Sequence, residues 1–175
     1  MSGRRRAASA LCLLAGALLG LGSRCYWIRD HAPTPGSIAV SGRRLPALPV
    51  ADSAGNTVDL SQLVPGRRTV IAFYSSSCHT CQVVLPELRP FPPGLRLLLV
   101  SEDAASPSRG EADAGLAGAT LFHDRKSALT RSFPLTPLPT ILFVDEQGVL
   151  RSFLVGAHGR DRVQAKLKAF AEGGL

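Results

Sequence analysis

The chain has 175 residues, 45% of them hydrophobic and 19% charged, which fits one globular domain with an appendage and excludes a disordered chain. Its formal charge of +7 is concentrated at one end: Arg4, Arg5, Arg6, Arg24 and Arg29 fall within the first 29 positions, where no acid occurs. The remainder sets fifteen basic against thirteen acidic residues, with no basic stripe or interleaved aromatics, and so offers no nucleic-acid-binding face.

Residues 1–29 read as a signal-anchor. Arg4 to Arg6 precede an uncharged run over 7–23, followed by Arg24, Cys25, Tyr26, Trp27 and Ile28. The 22 residues from Ala7 to Ile28 make roughly 33 Å of helix, enough for ~30 Å of hydrocarbon. Arg24 can snorkel, and Tyr26 and Trp27 suit the interface. The competing reading is a cleaved signal peptide, for which Gly20-Leu21-Gly22 is a poor small-x-small site. Three arginines before the run against two after it place the N-terminus in the cytoplasm. The expected location is therefore the inner cell membrane, single-pass, with the C-terminal domain in the periplasm or extracytoplasmic space; under either reading the domain is exported. Cys12 reads as a small hydrophobe within the run, and Cys25 as juxtamembrane with no chemistry assigned. Residues 30–44, rich in Pro, Gly and Ser, read as a linker, leaving 45–175 as the folded domain.

Within that domain, residues 45–52 read as extended chain, 53–56 as a turn, 57–60 as a returning strand and 61–63 as a helical turn. The apolar run Val70-Ile71-Ala72-Phe73-Tyr74 predicts a buried strand. It leads through Ser75-Ser76-Ser77 to Cys78-His79-Thr80-Cys81 at a helix start. A cysteine at a helix N-terminus meets unpaired N–H groups and the positive end of the dipole, which favour the thiolate. Cys81 follows one turn along, so Cys78 and Cys81 can close a redox-active disulfide and reopen it by thiol–disulfide exchange. His79 either supports the thiolate by charge or hydrogen bond, or is a solvated loop histidine. Val83, Val84, Leu85 and Leu88 are expected to pack on the sheet, and Pro86 to bend the helix.

Residues 95–100 read as a buried parallel strand completing a right-handed βαβ unit. Residues 101–119 are rich in Ala, Gly, Ser and acid, with at most a short helix near 108–116. Residues 120–122 suggest a brief strand, His123 a structural residue, and Asp124 the cap of a helix through 128–133. Thr136-Pro137-Leu138-Pro139-Thr140 opens a strand that turns at Glu146-Gln147-Gly148 and returns over 149–155. After Gly156, Asp161 starts an amphipathic helix with Val163, Leu167 and Phe170 inward, and His158 reads as a surface residue.

The N-terminal hairpin, the buried strand, Cys78-x-x-Cys81, Pro86-Glu87-Leu88 and Pro137-Leu138-Pro139-Thr140 together resemble the TlpA/ResA-like branch of the thioredoxin-fold superfamily. The serine-rich approach and aliphatic continuation are also similar to thioredoxin-like methylamine-utilisation proteins. The resemblance implies a thioredoxin-like α/β fold, a mixed central sheet with helices on both faces. It implies a membrane-tethered thiol–disulfide oxidoreductase with Cys78 and Cys81 as catalytic residues, modulated by His79 and Thr80. Pro139 would be cis opposite the cysteines, with Leu138 offering backbone to an extended substrate. Expected partners are protein thiols and disulfides, as in cytochrome c biogenesis, and a membrane or thioredoxin-type electron donor; no cofactor or metal is expected. The chain departs from the pattern at Ser77, where a tryptophan is usual, at Ala72, where cytosolic thioredoxins keep a buried aspartate, and at Val84, where several relatives have a glutamate. That leaves the proton acceptor for Cys81 open, with water or His79 as candidates.

Three other chemistries compete. Structural zinc needs four ligands, and no second Cys pair or His pair accompanies the motif. A Cu(I)-binding delivery module would need Cys78, Cys81 and one of His79, His123 or His158 to converge. A peroxiredoxin-like peroxidase would share Ser75-x-x-Cys78, but Ile71 stands where its preceding proline would be.

Overall fold

Apart from Ala72, the run Thr-Val-Ile-Ala-Phe-Tyr is β-branched or aromatic, and it forms the strand β3 (Thr69–Tyr74), buried at every position. A strand without a polar face must be covered on both sides, and the rest of the domain is built to do so. The structure is a computed structural model describing residues 41–103, 116, 118–124, 126–133 and 137–175. The expected signal-anchor, most of the linker and nearly all of the helix expected near 108–116 lie outside the described residues. Among those described, no helix is long and apolar enough to cross a membrane.

Around β3 the elements follow the chain as β1 (Pro49–Ala51), β2 (Thr57–Asp59), helix α1 (Leu60–Leu63), β3, helix α2 (His79–Glu87), β4 (Arg96–Ser101), β5 (Thr120–His123), helix α3 (Ala128–Ser132), β6 (Thr140–Val144), β7 (Leu150–Val155) and helix α4 (Arg160–Ala171). They form one seven-stranded sheet in the order β2-β1-β5-β4-β3-β6-β7. β3 pairs parallel to β4, with Tyr74 opposite Ser101, and antiparallel to β6, with Phe73 opposite Thr140. β4 pairs parallel to β5, so Ser101 lies beside His123. The ends of β3, β4 and β5 and the start of β6 therefore share one end of the sheet.

Alternation along the strands divides the core in two. Val70, Ala72, Leu97, Leu99, Ile141 and Phe143 face α2 and α4, which contribute Val84, Leu88, Val163, Leu167 and Phe170. Ile71, Phe73, Leu98, Val100, Leu142 and Val144 face the opposite way, toward Leu60, Val64, Leu129 and Phe133. Helices thus cover both faces of a mixed sheet, the layering that parallel pairs demand.

Turns and ends are fixed by carboxylates. Asp59 caps α1, its Oδ1 accepting from the N–H groups of Ser61 and Leu48 at 2.9 Å each. The β6–β7 turn is organised by Asp145, whose Oδ1 accepts from Gln147 and Val149 and whose Oδ2 accepts from Arg151 Nε at 2.7 Å. Gly148 has φ +77°, a left-handed conformation that any side chain would strain. Upstream, the chain is already held at 42–45: Gly42 donates to the Leu150 carbonyl at 2.7 Å, Leu150 to Arg43 at 2.8 Å, and Leu45 to Gly148 at 2.8 Å. Arg68 joins α4 to the same turn, donating from Nη1 to the Phe170 and Ala171 carbonyls at 2.9 Å and from Nε to Glu146 at 3.1 Å. A cation suits those last carbonyls of a helix.

The structure corrects several expectations. Val83 does not pack on the sheet; it is 51% exposed, because the inward stripe of α2 runs Cys81, Val84, Leu85, Leu88. Pro86 does not bend a continuing helix: α2 stops at Glu87, and the Leu88 N–H already returns to the Leu85 carbonyl at 3.1 Å. Leu60 begins α1 instead of ending β2, since Asp59 caps the helix there. His158 is no free surface residue: it is half-buried, and its Nε2 accepts from the Val155 N–H at 3.1 Å.

Candidate functional site

Cys78 is the N-cap of α2, with extended φ and ψ of −83° and 105°. Its amide donates to the Ser75 carbonyl at 3.2 Å, which closes the serine loop into a turn. Its Sγ accepts from the Cys81 N–H at 3.1 Å, so a backbone donor at the helix start points at the sulfur. Cys81 lies one turn further and is 1% exposed, whereas Cys78 is partly exposed. The two are disulfide-bonded, with Cα atoms 5.2 Å apart, well within the usual range. Of the two sulfur-bearing residues, Cys78 is therefore the more accessible to solvent.

His79 is exposed on the first turn of α2 and Thr80 is half-buried. Leu138–Pro139 is a cis peptide bond, and Pro139 immediately precedes β6. Because Thr140 pairs with Phe73, Pro139 sits at the end of the sheet from which the serine loop departs. Cys78 and the half-buried Leu138 pack against the same apolar cluster, which includes Cys81. The Pro139 carbonyl is taken by the Gly156 N–H at 2.8 Å. Among the described residues no three His, Cys, Asp or Glu side chains gather as a metal site; His123 is buried in β5 beside Ser101, and His158 is engaged beyond β7.

Asp103, which no local motif in the sequence marks, anchors the serine loop. Its Oδ1 accepts from Ser75 Oγ at 2.6 Å, its Oδ2 accepts from the Ser76 N–H at 2.9 Å, and Ser101 Oγ donates to Oδ2 at 2.9 Å. Ser75 Oγ accepts in turn from the Ser77 N–H at 3.3 Å and lies 2.9 Å from Ser77 Oγ. Gln82 Nε2 donates to the Ser76 carbonyl at 3.0 Å, tying the loop to α2 as well. The place of Asp103 on the loop directly after a buried parallel strand is where sites are built in such sheets, but nothing local in the sequence singles it out from Glu102 beside it.

Burial alone would raise the Asp103 pKa, but the hydrogen bonds from Ser75, Ser76 and Ser101 hold it below the ordinary aspartate value. Burial is likewise outweighed at Asp59 by the amides of Leu48 and Ser61, and at Asp145 by Val149, Arg151 and Gln147. Glu102 goes the other way: burial first, then Asp124 and Asp103, push it up, and its buried Oε1 has no hydrogen-bond partner among the described residues. A carboxyl depressed in the folded state contributes stability at pH above its unfolded value of ~3.9 and loses it as pH falls through the folded value. The three aspartates are therefore expected to hold stability level between pH 7 and 5 and to give it up below about pH 4. Glu102 opposes them: its raised carboxyl destabilises the folded state when charged, and that penalty is relieved as pH falls through its folded value. Denaturant midpoints at pH 7, 5 and 3 check this; a midpoint at pH 3 equal to that at pH 7 would contradict it.

Known proteins match this arrangement. The sequence profile of the AhpC/TSA family matches residues 41–153. The thiol-disulfide oxidoreductase YkuV of Bacillus subtilis is 29% identical over 120 residues, 63% of this chain and 81% of its own. Among solved structures, a Chlorobium tepidum protein assigned as a thiol:disulfide interchange protein DsbE aligns with TM-score 0.57 and 24% identity, over 75% of this chain and 96% of its own. A secreted Mycobacterium tuberculosis disulfide oxidoreductase aligns with TM-score 0.57 and 16% identity, over 69% and 94%. At such identities the structural likeness establishes the fold, and that fold is thioredoxin-like α/β with a mixed sheet.

Proposed function

Because the chain belongs to the AhpC/TSA family and holds its two described cysteines as a bonded pair at a helix start, we propose that it is a thiol–disulfide oxidoreductase acting through Cys78 and Cys81. The observation that carries this reading is the asymmetry of the pair: Cys78 partly exposed with the Cys81 amide on its sulfur, Cys81 buried behind it. With both cysteines reduced, the Cys78 thiolate attacks a partner's disulfide, forming a mixed disulfide and releasing one partner thiol. The Cys81 thiol, once deprotonated, attacks Cys78 Sγ, forming the Cys78–Cys81 disulfide and releasing the second thiol. Two electrons pass to the partner, and a membrane or thioredoxin-type donor must return two. Leu138 beside Pro139 offers main-chain groups to an extended partner segment.

The N-terminal sequence supports a finer version of the same reading. A basic start, an uncharged run and flanking aromatic residues suit a single-pass anchor, and an exported dithiol has work as a reductant of partner disulfides in an oxidising compartment, cytochrome c maturation included. The secreted disulfide oxidoreductase with the same fold is consistent with such a location.

The test is reduction of a protein disulfide such as insulin, driven by dithiothreitol, beside titration of the thiols with Cu(I) and with a hydroperoxide. The wild-type protein is expected to accelerate reduction and the Cys78→Ser variant to abolish the acceleration. One equivalent of copper bound with no exchange, or rapid peroxide consumption with none, would overturn the reading.

A further inference from the structure

The hydrogen bonds around the serine loop run in one direction, toward Asp103. A carboxylate accepts and cannot donate, so Ser75 must spend its hydroxyl proton on Oδ1 at 2.6 Å and the Ser76 amide must point at Oδ2 at 2.9 Å. With its proton committed, Ser75 Oγ becomes an acceptor, and it takes the Ser77 N–H at 3.3 Å and, at 2.9 Å, the Ser77 hydroxyl. Two backbone N–H groups immediately before Cys78, and two hydroxyls, are thus turned away from its sulfur. What remains on the sulfur is the Cys81 N–H. Asp103 contacts the backbone two residues before Cys78, which puts its negative charge within roughly 12 Å of that sulfur. It is anchored from behind by Ser101, at the end of β4.

We infer that Asp103 is a positioning residue that fixes the Ser75-Ser76-Ser77 turn and holds the Cys78–Cys81 pair on the reducing side. It withholds donors from the Cys78 thiolate and places a like charge near it. A destabilised thiolate means a destabilised reduced form, and a pair whose reduced form is less stable gives up its electrons more readily. The inference rests on the oxidoreductase reading of the two cysteines and adds a direction to it. Ala72 and Val84 provide no acid within the apolar core under α2, whereas Asp103 bonds the loop that leads to Cys78 directly.

The experiment is the equilibrium of the full chain with glutathione, protein dithiol plus oxidised glutathione giving protein disulfide plus two reduced glutathiones, read by thiol alkylation. Asp103→Asn removes the charge and supplies a donor of its own. It is expected to move the equilibrium about fivefold toward the reduced protein and to speed alkylation of Cys78 near pH 6, while Asp103→Glu stays within about twofold of wild type. If Asp103→Asn does not fold, Ser75→Ala serves, since it frees the Ser77 donors and is expected to shift the constant the same way by about threefold. A change below twofold, or a shift toward the disulfide, overturns the inference while the oxidoreductase reading stands. Wild-type cysteines that never exchange with glutathione overturn that reading, and this inference falls with it.

Discussion

Cys81→Ser is expected to accumulate partner proteins as mixed disulfides through Cys78, visible as high-mass species on non-reducing gels that collapse on reduction. The reason lies in the division of labour between the two sulfurs. Cys78 is reachable and has the Cys81 amide at 3.1 Å, so it can still attack or be attacked. Without the second thiol nothing internal displaces the partner, and release waits on external thiol, slower by orders of magnitude than an intramolecular step with effective concentrations of ~10⁵ M or more. The backbone donor survives the substitution, so the first half of the reaction should be nearly intact. Cys78→Ser leaves only the buried sulfur and should trap nothing. If Cys78→Ser is the variant that captures partners, the roles of the two residues are reversed.

Phe143→Ala should cost about 3–5 kcal/mol, a large part of the ~5–15 kcal/mol by which a domain this size is stable. Phe143 is fully buried on β6 and meets the Phe170 ring edge to face, centroids 5.4 Å apart at 80°. Removing it leaves a cavity between the sheet and α4 that the backbone of β6, paired on both sides, cannot collapse to fill. Val83→Ser is the matching control: that side chain is 51% exposed, and the change should stay within about 0.5 kcal/mol. Urea unfolding of the two variants checks both values, and a Val83→Ser cost near that of Phe143→Ala would contradict the packing described.

The sheet and the cysteine pair were legible in the chain because their signals are local. Val70 to Tyr74 and Ile141 to Val144 are uninterrupted apolar runs, and a strand buried on both faces leaves little else that such runs could be. The exposure of Val83 is legible as well: positions 81, 84, 85 and 88 form the apolar stripe of a 3.6-residue period, and 83 lies off it. Asp103 was not legible, because its role depends on partners 27 and 28 positions away that only the pairing of Tyr74 with Ser101 brings alongside. His158 escaped for the same reason on a shorter scale, since its ring meets the Val155 amide only once the chain has folded back past Gly156.

The bonds of Gly42, Arg43 and Leu45 to residues 148–150 fix where the upstream chain is moored. That turn adjoins Val144, the partner of Thr69, while Cys78 follows Tyr74 at the far pole of the same strand, roughly 20 Å away. Residues 42–45 therefore lie at the pole of the sheet opposite the two sulfurs, and a partner approaching the pair meets the serine loop and the Leu138–Pro139 turn instead.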